Sequence, residues 1–361
     1  MIFGFLFDTL LSALEIVLAS PPDILYSFAM PEFQIRSLPR YPLADLPSPI
    51  HALKRLSAHL GGPAILMKRD DMTGLALGGN KVRKLEFLVA EAIGMHADTL
   101  ITAGAAQSNH CRQTAAAAAR AGLRCDLVLG GTAPRVPGGN LLLDNLLGAR
   151  IHWAGGDRKG ETLGEIAADL RREGRRPCVI PYGGSSPLGA AGYVTGMAEA
   201  VHQLGIEKRR TDAIVFASSS GGTHAGLIVG GRLSGYRGRI IGVCVEKGEA
   251  VQGEIESRII EIARGCAGLM GAADLMDDPP PVNLDRRFAG EGYGVVGPGE
   301  REAMKLLARL EGVLLDPVYT AKAMGGLIEM IARGEFSRNE TVLFWHTGGT
   351  PALFAEGADI L

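Results

Sequence analysis

From Pro63 onward, short aliphatic or β-branched runs alternate with longer stretches of helical period. The short runs predict strands at residues 64–68, 99–103, 124–129, 150–153, 178–181, 212–217, 239–245 and 341–345. Helices are predicted between them, among others at residues 81–95, 109–121, 161–173, 190–204 and 223–233. Strand-helix-strand repetition implies an α/β fold in which parallel sheets are wrapped by helices. Because the strands are continuous apolar runs rather than alternating ones, both sheet faces should be covered. The alternating run over residues 81–183 is expected to form one small lobe, and residues 31–80 with 184–361 a large one. Open parallel sheets bind ligands at the carboxyl ends of their strands, so chemistry should sit at glycine-rich strand ends.

Residues 1–30 do not fit this pattern. They are apolar, broken by Asp8, Glu15 and Asp23, and no Lys or Arg precedes Arg36. A secretory signal needs a basic start, and the unbroken apolar runs are short for a membrane span. The segment reads best as sequence upstream of a start at Met30, with an amphipathic cap as the alternative.

Charge and composition narrow the partners. Lys plus Arg number 37 against 39 Asp plus Glu, which leaves no electrostatic footprint for nucleic acid or an anionic membrane and points to a small molecule. The five cysteines are scattered and lack C-x-x-C spacing, so they suggest neither a zinc site nor a redox pair, but reduced thiols in the cytoplasm.

Three strand-to-helix junctions and two turns carry candidate chemistry. Lys81 follows Gly78-Gly79-Asn80 at a helix start, where a cation is electrostatically misplaced unless another role keeps it. A lysine amine in a dry pocket at a glycine turn can form a Schiff base with an aldehyde. Ser108 is placed as a helix N-cap; the polar string Gln107 to His110 exceeds what a cap requires, which leaves Ser108 and Asn109 open to a ligand. Ser220-Gly221-Gly222-Thr223 joins a strand to a helix with hydroxyls and free N–H groups, a cradle suited to a phosphate. His224 beside it reads as structural and Cys111 as a buried thiol; Lys84, one helical turn from Lys81, either adds positive potential to the cleft or, the preferred reading, is an exposed helix lysine. Tyr293 and Tyr319 lie in glycine- or proline-marked turns; each is suited to stacking and proton exchange, or equally to a surface turn.

An aldehyde-reactive lysine, a phosphate cradle and ring-stacking tyrosines together describe a pyridoxal phosphate site. The motifs Lys68-Arg-Asp-Asp71, Gly78-Gly-Asn-Lys81, Gln107-Ser-Asn-His110, Gly183-Gly-Ser185, Asp316-Pro-Val-Tyr319 and His346-Thr-Gly-Gly349 resemble the D-cysteine desulfhydrase and 1-aminocyclopropane-1-carboxylate deaminase family. The resemblance runs from about Ile35 to Phe354. It implies the tryptophan-synthase-β-like fold, fold type II, with pyridoxal 5'-phosphate in the cleft between two α/β lobes, and a homodimer. It also implies that Lys81 is the Schiff-base lysine, that Asn109 contacts the cofactor's ring oxygen, and that Ser220, Gly221, Gly222 and Thr223 hold its phosphate. Ser108, with Asn109 and His110, would take the substrate carboxylate, and Tyr293 and Tyr319 would face the reacting atoms. Thr320 and Thr347 stand where the deaminase branch carries Glu and Leu, and are carried over as cofactor contacts. A neutral hydroxyl suits elimination of a good leaving group better than ring opening. The implied reaction is α,β-elimination on a small β-substituted amino acid, D-cysteine to pyruvate, hydrogen sulfide and ammonia. Rival readings are L-cysteate, β-chloro-alanine, D-serine or 1-aminocyclopropane-1-carboxylate as substrate, and, from another class, a non-catalytic pyridoxal phosphate-binding protein.

Overall fold

The computed structural model describes residues 38–156, 160–246, 253–290 and 294–355. The expectation for residues 1–30 lies outside them. The elements run β1 (Ile50–Ala52), α1 (Lys54–Leu60), β2 (Ala64–Arg69), α2 (Lys81–Gly94), β3 (Thr99–Ala105), α3 (Asn109–Ala121), β4 (Arg124–Gly130), α4 (Gly139–Leu146), β5 (Arg150–Trp153) and α5 (Leu163–Arg172). They continue with β6 (Pro177–Val179), α6 (Pro187–Ile206), β7 (Ala213–Ser218), α7 (Gly222–Leu233), β8 (Arg239–Cys244), α8 (Glu254–Leu269), β9 (Asn283–Asp285), α9 (Pro298–Glu311), α10 (Thr320–Ala332) and β10 (Thr341–His346).

The strands form two sheets, of order β1-β2-β10-β7-β8-β9 and β5-β4-β3-β6. All pairings are parallel except β1 with β2. All eight strands expected from the sequence are present. Strands β1 and β9 were not expected: each has three residues, too few to show a period. The carboxyl ends of β2, β10 and β7 open toward those of β3 and β6, and the loops that follow them carry candidate residues.

Period-2 alternation explains how each sheet is covered twice. In the six-stranded sheet, Leu66, Ile214, Phe216, Leu343 and Trp345 pack on Tyr193 and Met197 of α6. On the other face, Ile65, Met67, Val215, Val342 and Phe344 meet Leu56, Leu307, Met324 and Leu327 of α1, α9 and α10. In the four-stranded sheet, Leu100, Leu127 and Leu129 pack on α2 and α3, and Ile101, Ala103 and Val128 on α5. Helix α2 belongs to both bodies: Val82, Leu85, Leu88 and Val89 join the small-sheet core, while Phe87 packs among α6, α7 and α8. Its crossing with α6 is close, and a Cβ at Gly192 would strike the Arg83 backbone.

A buried charge frame fixes the root of α2. Asp70 is fully buried, and its carboxylate accepts from Ser48 Oγ at 2.7 Å, Arg83 Nη2 at 2.8 Å and Nε at 2.9 Å, Tyr193 OH at 2.7 Å and Trp345 Nε1 at 2.8 Å. Burial alone would raise its pKa; the Arg83 guanidinium, Lys68 and the Tyr193 hydroxyl overcome that and hold it well below the usual carboxylate range. Arg83 also binds Glu199, which accepts from Lys68 Nζ at 2.5 Å.

Breaking one partner of a buried pair typically costs about 3–5 kcal/mol, because the other charge is left bare. Asp70→Asn should therefore lower the urea-unfolding free energy by about that amount. A carboxyl with a depressed folded pKa contributes stability that is present above its unfolded value, near about pH 4, and is lost as pH falls toward its folded value. The gap between wild type and Asp70→Asn should therefore be widest at neutral pH and close on acidification. A gap below about 1 kcal/mol at pH 7 would show that the frame does not hold the fold together.

Candidate active site

The turn from β2 into α2 is made by two 3-10 segments, Asp70–Met72 and Leu75–Leu77, followed by Gly78 and Gly79 at φ +63° and +127°. A side chain at Gly78 would overlap the Asp71 carbonyl, and the left-handed φ disfavours one in any case. The Gly79 N–H donates to the Asp70 carbonyl and to Thr73 Oγ1, both at 2.9 Å, and the Asn80 N–H donates to the Thr347 carbonyl at 3.0 Å. Lys81 is thus delivered into a cleft with its Nζ donating to Asn80 Oδ1 at 2.9 Å, 6.0 Å from the centre of the Tyr319 ring. Burial lowers its pKa to about 8, with Asp316 opposing and Arg112 adding to the shift. About a tenth of the amine is therefore unprotonated at pH 7, far more than for an ordinary lysine.

The far end of the cleft is the β7–α7 turn. Gly221 has φ +93° and brings Ser220 and the first-turn N–H groups of α7 to the cleft. Ser220 Oγ lies 2.7 Å from Ser185 Oγ, and Asn80 Nδ2 donates to Thr223 Oγ1 at 3.2 Å. The Gly222 N–H, expected at the anion, instead donates to Ser185 Oγ at 3.1 Å, because Gly222 packs directly on Ser185 with no room for a Cβ. Lys84, read from the sequence as exposed, is buried. Its Nζ donates to the Gly183 carbonyl at 3.1 Å and reaches Ser185 Oγ at 3.4 Å. Burial and the like charge of Lys81 hold its pKa well below the ordinary value.

Ser108, Asn109 and His110 form the third wall. Ser108 Oγ accepts from the Cys111 N–H at 3.2 Å, so it does cap α3, while also lining the cleft. Asn109 Oδ1 accepts from Asn140 Nδ2 at 2.9 Å. Gln107 is turned away, with Oε1 accepting from the Asn140 N–H and Nε2 donating to the Gly138 carbonyl. Thr102 Oγ1 donates to the Ile180 carbonyl at 2.8 Å and so accepts from His110 Nε2 at 2.9 Å, which leaves Nδ1 as a bare acceptor. Nδ1 is buried without a partner among the described residues. Burial, then Lys81 and Lys84, push the His110 pKa well down against the Pro181 carbonyl, so the ring is neutral.

Tyr319 and Thr347 complete the lining; Tyr293 lies outside the described residues. Thr320 does not line the cleft. Its hydroxyl donates to Asp316 Oδ1 and accepts from the Asp316 N–H, both at 2.7 Å. Asp316 also takes the N–H groups of Val318, Tyr319 and Thr320, so the Asp-to-Thr spacing builds the turn beneath Tyr319 rather than a cofactor contact. His346 Nδ1 accepts from Gly348 and its Nε2 faces the Leu314 carbonyl, which locks the turn after Thr347.

Sequence reasoning missed Asn80, Tyr182 and Ser185 as site residues, and undervalued Lys84 and His224. Tyr182 lines the cleft and precedes Gly183, the same glycine-turn signal that singled out Tyr293. His224 also lines it, its Nε2 is buried without a partner among the described residues, and burial lowers its pKa to about 3. No cluster of His, Cys, Asp and Glu among the described residues could hold a metal ion.

These residues fit pyridoxal phosphate. A helix start with adjoining hydroxyls and a buried lysine without an acidic neighbour calls for an anion. A second amine with a lowered pKa stands at the other end of the same cleft, as an aldehyde on that anion would require. Lys81 would hold the aldehyde carbon; Ser185, Ser220, Thr223, Lys84 and the N–H groups of α7 would hold the phosphate.

Comparison with known proteins agrees. The model of the family described as "Pyridoxal-phosphate dependent enzyme" matches residues 42–348. A protein named D-cysteine desulfhydrase from Salmonella choleraesuis (strain SC-B67) is 46% identical over 332 residues, covering 90% of this chain and 98% of that protein. A crystal structure described as an ACC deaminase homologue is 35% identical with a TM-score of 0.83, over 94% of this chain and 99% of that one. A fungal L-serine ammonia-lyase from Rhizomucor miehei, 15% identical with a TM-score of 0.61 over 86% of this chain and 96% of its own, shares the fold. The architecture is that of the type II fold. On the match that spans residues 42–348, the chain belongs to the pyridoxal-phosphate dependent enzyme family.

Proposed function

We propose that this protein catalyses α,β-elimination on D-cysteine, consuming one water and releasing pyruvate, hydrogen sulfide and ammonia. One observation carries the reading: the half-buried amine of Lys81, with its pKa lowered to about 8 by desolvation, stands against Tyr319 in a cleft whose far end is an anion cradle. The 46% identity to a D-cysteine desulfhydrase chooses the substrate.

Bound pyridoxal phosphate supplies an electron sink for the pair released at the α-carbon. The protein's residues do the rest. Ser108 Oγ and the N–H groups at the α3 start bind the substrate carboxylate and hold the α-carbon in the cleft that Lys81 lines. The Lys81 amine removes that proton, and its lowered pKa keeps part of it unprotonated at neutral pH. Tyr319, next to Lys81, gives its phenol proton to the departing thiolate, and Tyr293 is assigned to the same reacting atoms. Asn109, fixed by Asn140, faces the cofactor ring, as does Thr347.

We assign residues 81–183 to the small lobe and residues 31–80 with 184–361 to the large one. A cytoplasmic location is supported by the five free, buried cysteines. A homodimer is supported by exposed apolar residues on and beside α4: Leu142 and Leu146 one turn apart, and Val136 with Phe354 nearby. Light scattering should return twice the chain mass; a monomer at micromolar concentration refutes that assignment.

The purified protein should absorb in the visible and release sulfide and pyruvate in equal amounts from D-cysteine. Lys81→Ala should lose the band and at least about a thousandfold in turnover; a variant that keeps both excludes the proposed role. Only the free amine attacks an aldehyde, so the rate at which apoprotein captures pyridoxal phosphate should rise about tenfold per pH unit below the Lys81 pKa and level off above it. A break near pH 10, the value of an ordinary lysine, would contradict the buried setting of Lys81.

A further inference from the structure

Behind the turn that carries Lys81, the seam between α3 and α4 holds four buried polar residues, Arg112, Gln113, Asn140 and Asp144, each at 0% exposure, and the chemistry above uses only Asn140, through its bond to Asn109. Arg112 Nη1 donates to the Ala76 carbonyl at 2.8 Å and Nη2 to the Gly78 carbonyl at 3.0 Å, so its guanidinium grips the turn on both sides of Leu77. Gln113 lies against Gly79, where a Cβ would collide with its amide. Asn140 Nδ2 donates to Asn109 Oδ1, which sets the two helices in register. Asn109 and Arg112 share one face of α3, and Asn140 and Asp144 one face of α4. Asp144 therefore comes level with Arg112, and the two charges act on each other.

Six side-chain atoms in this seam have no partner among the described residues: Arg112 Nε, Gln113 Nε2 and Oε1, Asn140 Oδ1 and both Asp144 oxygens. Buried polar groups are almost always hydrogen-bonded, to protein or to ordered water. The set mixes donors with acceptors, which water satisfies and which a metal ion beside a guanidinium would not. We propose that Asp144 and Arg112, linked through water enclosed between α3 and α4, are positioning residues that hold the Ala76–Gly79 turn and thereby set the place and protonation of the Lys81 amine.

The charges are arranged for that role. Burial pushes the Asp144 carboxyl up to about 8 against the pull of Arg112. Burial lowers Arg112 to about 10 against Asp144 on one side and Asp316 on the other. The Cys111 and Cys125 thiols, also beside Asp144, are raised by burial and are neutral. Arg112 thus keeps its charge between the seam and the cleft, and that charge lowers the pKa of Lys81.

This inference rests on Lys81 binding the cofactor, and the test separates the two. In the holoenzyme, Arg112→Lys keeps the charge but loses the two-pronged grip, Arg112→Met loses both, and Asp144→Asn removes the anchoring acid. Arg112→Lys and Asp144→Asn should each lower kcat for D-cysteine about tenfold or more while KM stays within about threefold, the pattern of a group that acts on the reacting amine rather than on binding. Arg112→Met should raise the pH midpoint of the visible band by about half a unit or more. Variants that lose thermal stability yet keep kcat per folded site and the band midpoint would make the seam merely structural and overturn the proposal. If the variants do not fold, a high-resolution crystal structure of the wild-type holoenzyme decides: ordered water bridging Asp144 to Arg112 Nε supports it, and a dry seam overturns it. Absence of the band in wild type would instead defeat the Lys81 reading itself.

Discussion

The buried carboxylate of Asp70 is the contact on which the cleft depends. Its oxygens bind Arg83 of α2, Tyr193 of α6, Trp345 of β10 and Ser48 of the preceding loop. Its own carbonyl accepts the Gly79 N–H two residues before Lys81. Trp345 in turn stands two residues before Thr347, whose carbonyl accepts the Asn80 N–H. One residue thus sets the depth of the Lys81 turn and ties it to the opposite wall. A buried carboxylate is tolerated here because the donors around it are aimed at it and the Arg83 charge outweighs the desolvation cost.

Much of this was legible in the sequence, for physical reasons that also mark where legibility ended. The central strands were evident because burial on both faces demands unbroken apolar runs, as along β7. Strands β1 and β9 are three residues long and held by neighbours distant in sequence, so no local signal marks them. The glycine turns led to Lys81, Ser108 and Ser220 because close backbone approach restricts residue choice, and the structure gathers these three around one cleft. Lys84 was misplaced by its charge alone. Lys81, Lys84, Leu85 and Leu88 follow the i, i+3, i+4, i+7 stripe of an inward face, so the signal was available and was outweighed by the usual preference of lysine for solvent. Thr320 shows the opposite error. A hydroxyl four residues after Asp316 is bound locally, and a motif position cannot reveal that its hydrogen bonds are already taken.

The cations inside the fold fall into two groups, and the division explains what the cleft can hold. Those that frame the fold have carboxylates in reach: Arg83 has Asp70 at 2.8 Å, Lys68 has Glu199 at 2.5 Å, and Lys322 has Glu300 at 3.9 Å. The two lysines that line or adjoin the cleft do not, and Arg112 behind it holds only backbone carbonyls among the described residues. Lys84 touches only a carbonyl and a hydroxyl, and Lys81 an amide oxygen, while Asp316 acts on it only through its charge. Folding would not leave two like-charged amines desolvated in one cleft unless something they bind offsets the cost. That ligand must be anionic at the Lys84 end and electrophilic at the Lys81 end. The lowered pKa of Lys81 then follows from the same desolvation that makes Lys84 require an anion, so affinity for the phosphate and reactivity toward the aldehyde have a single physical origin.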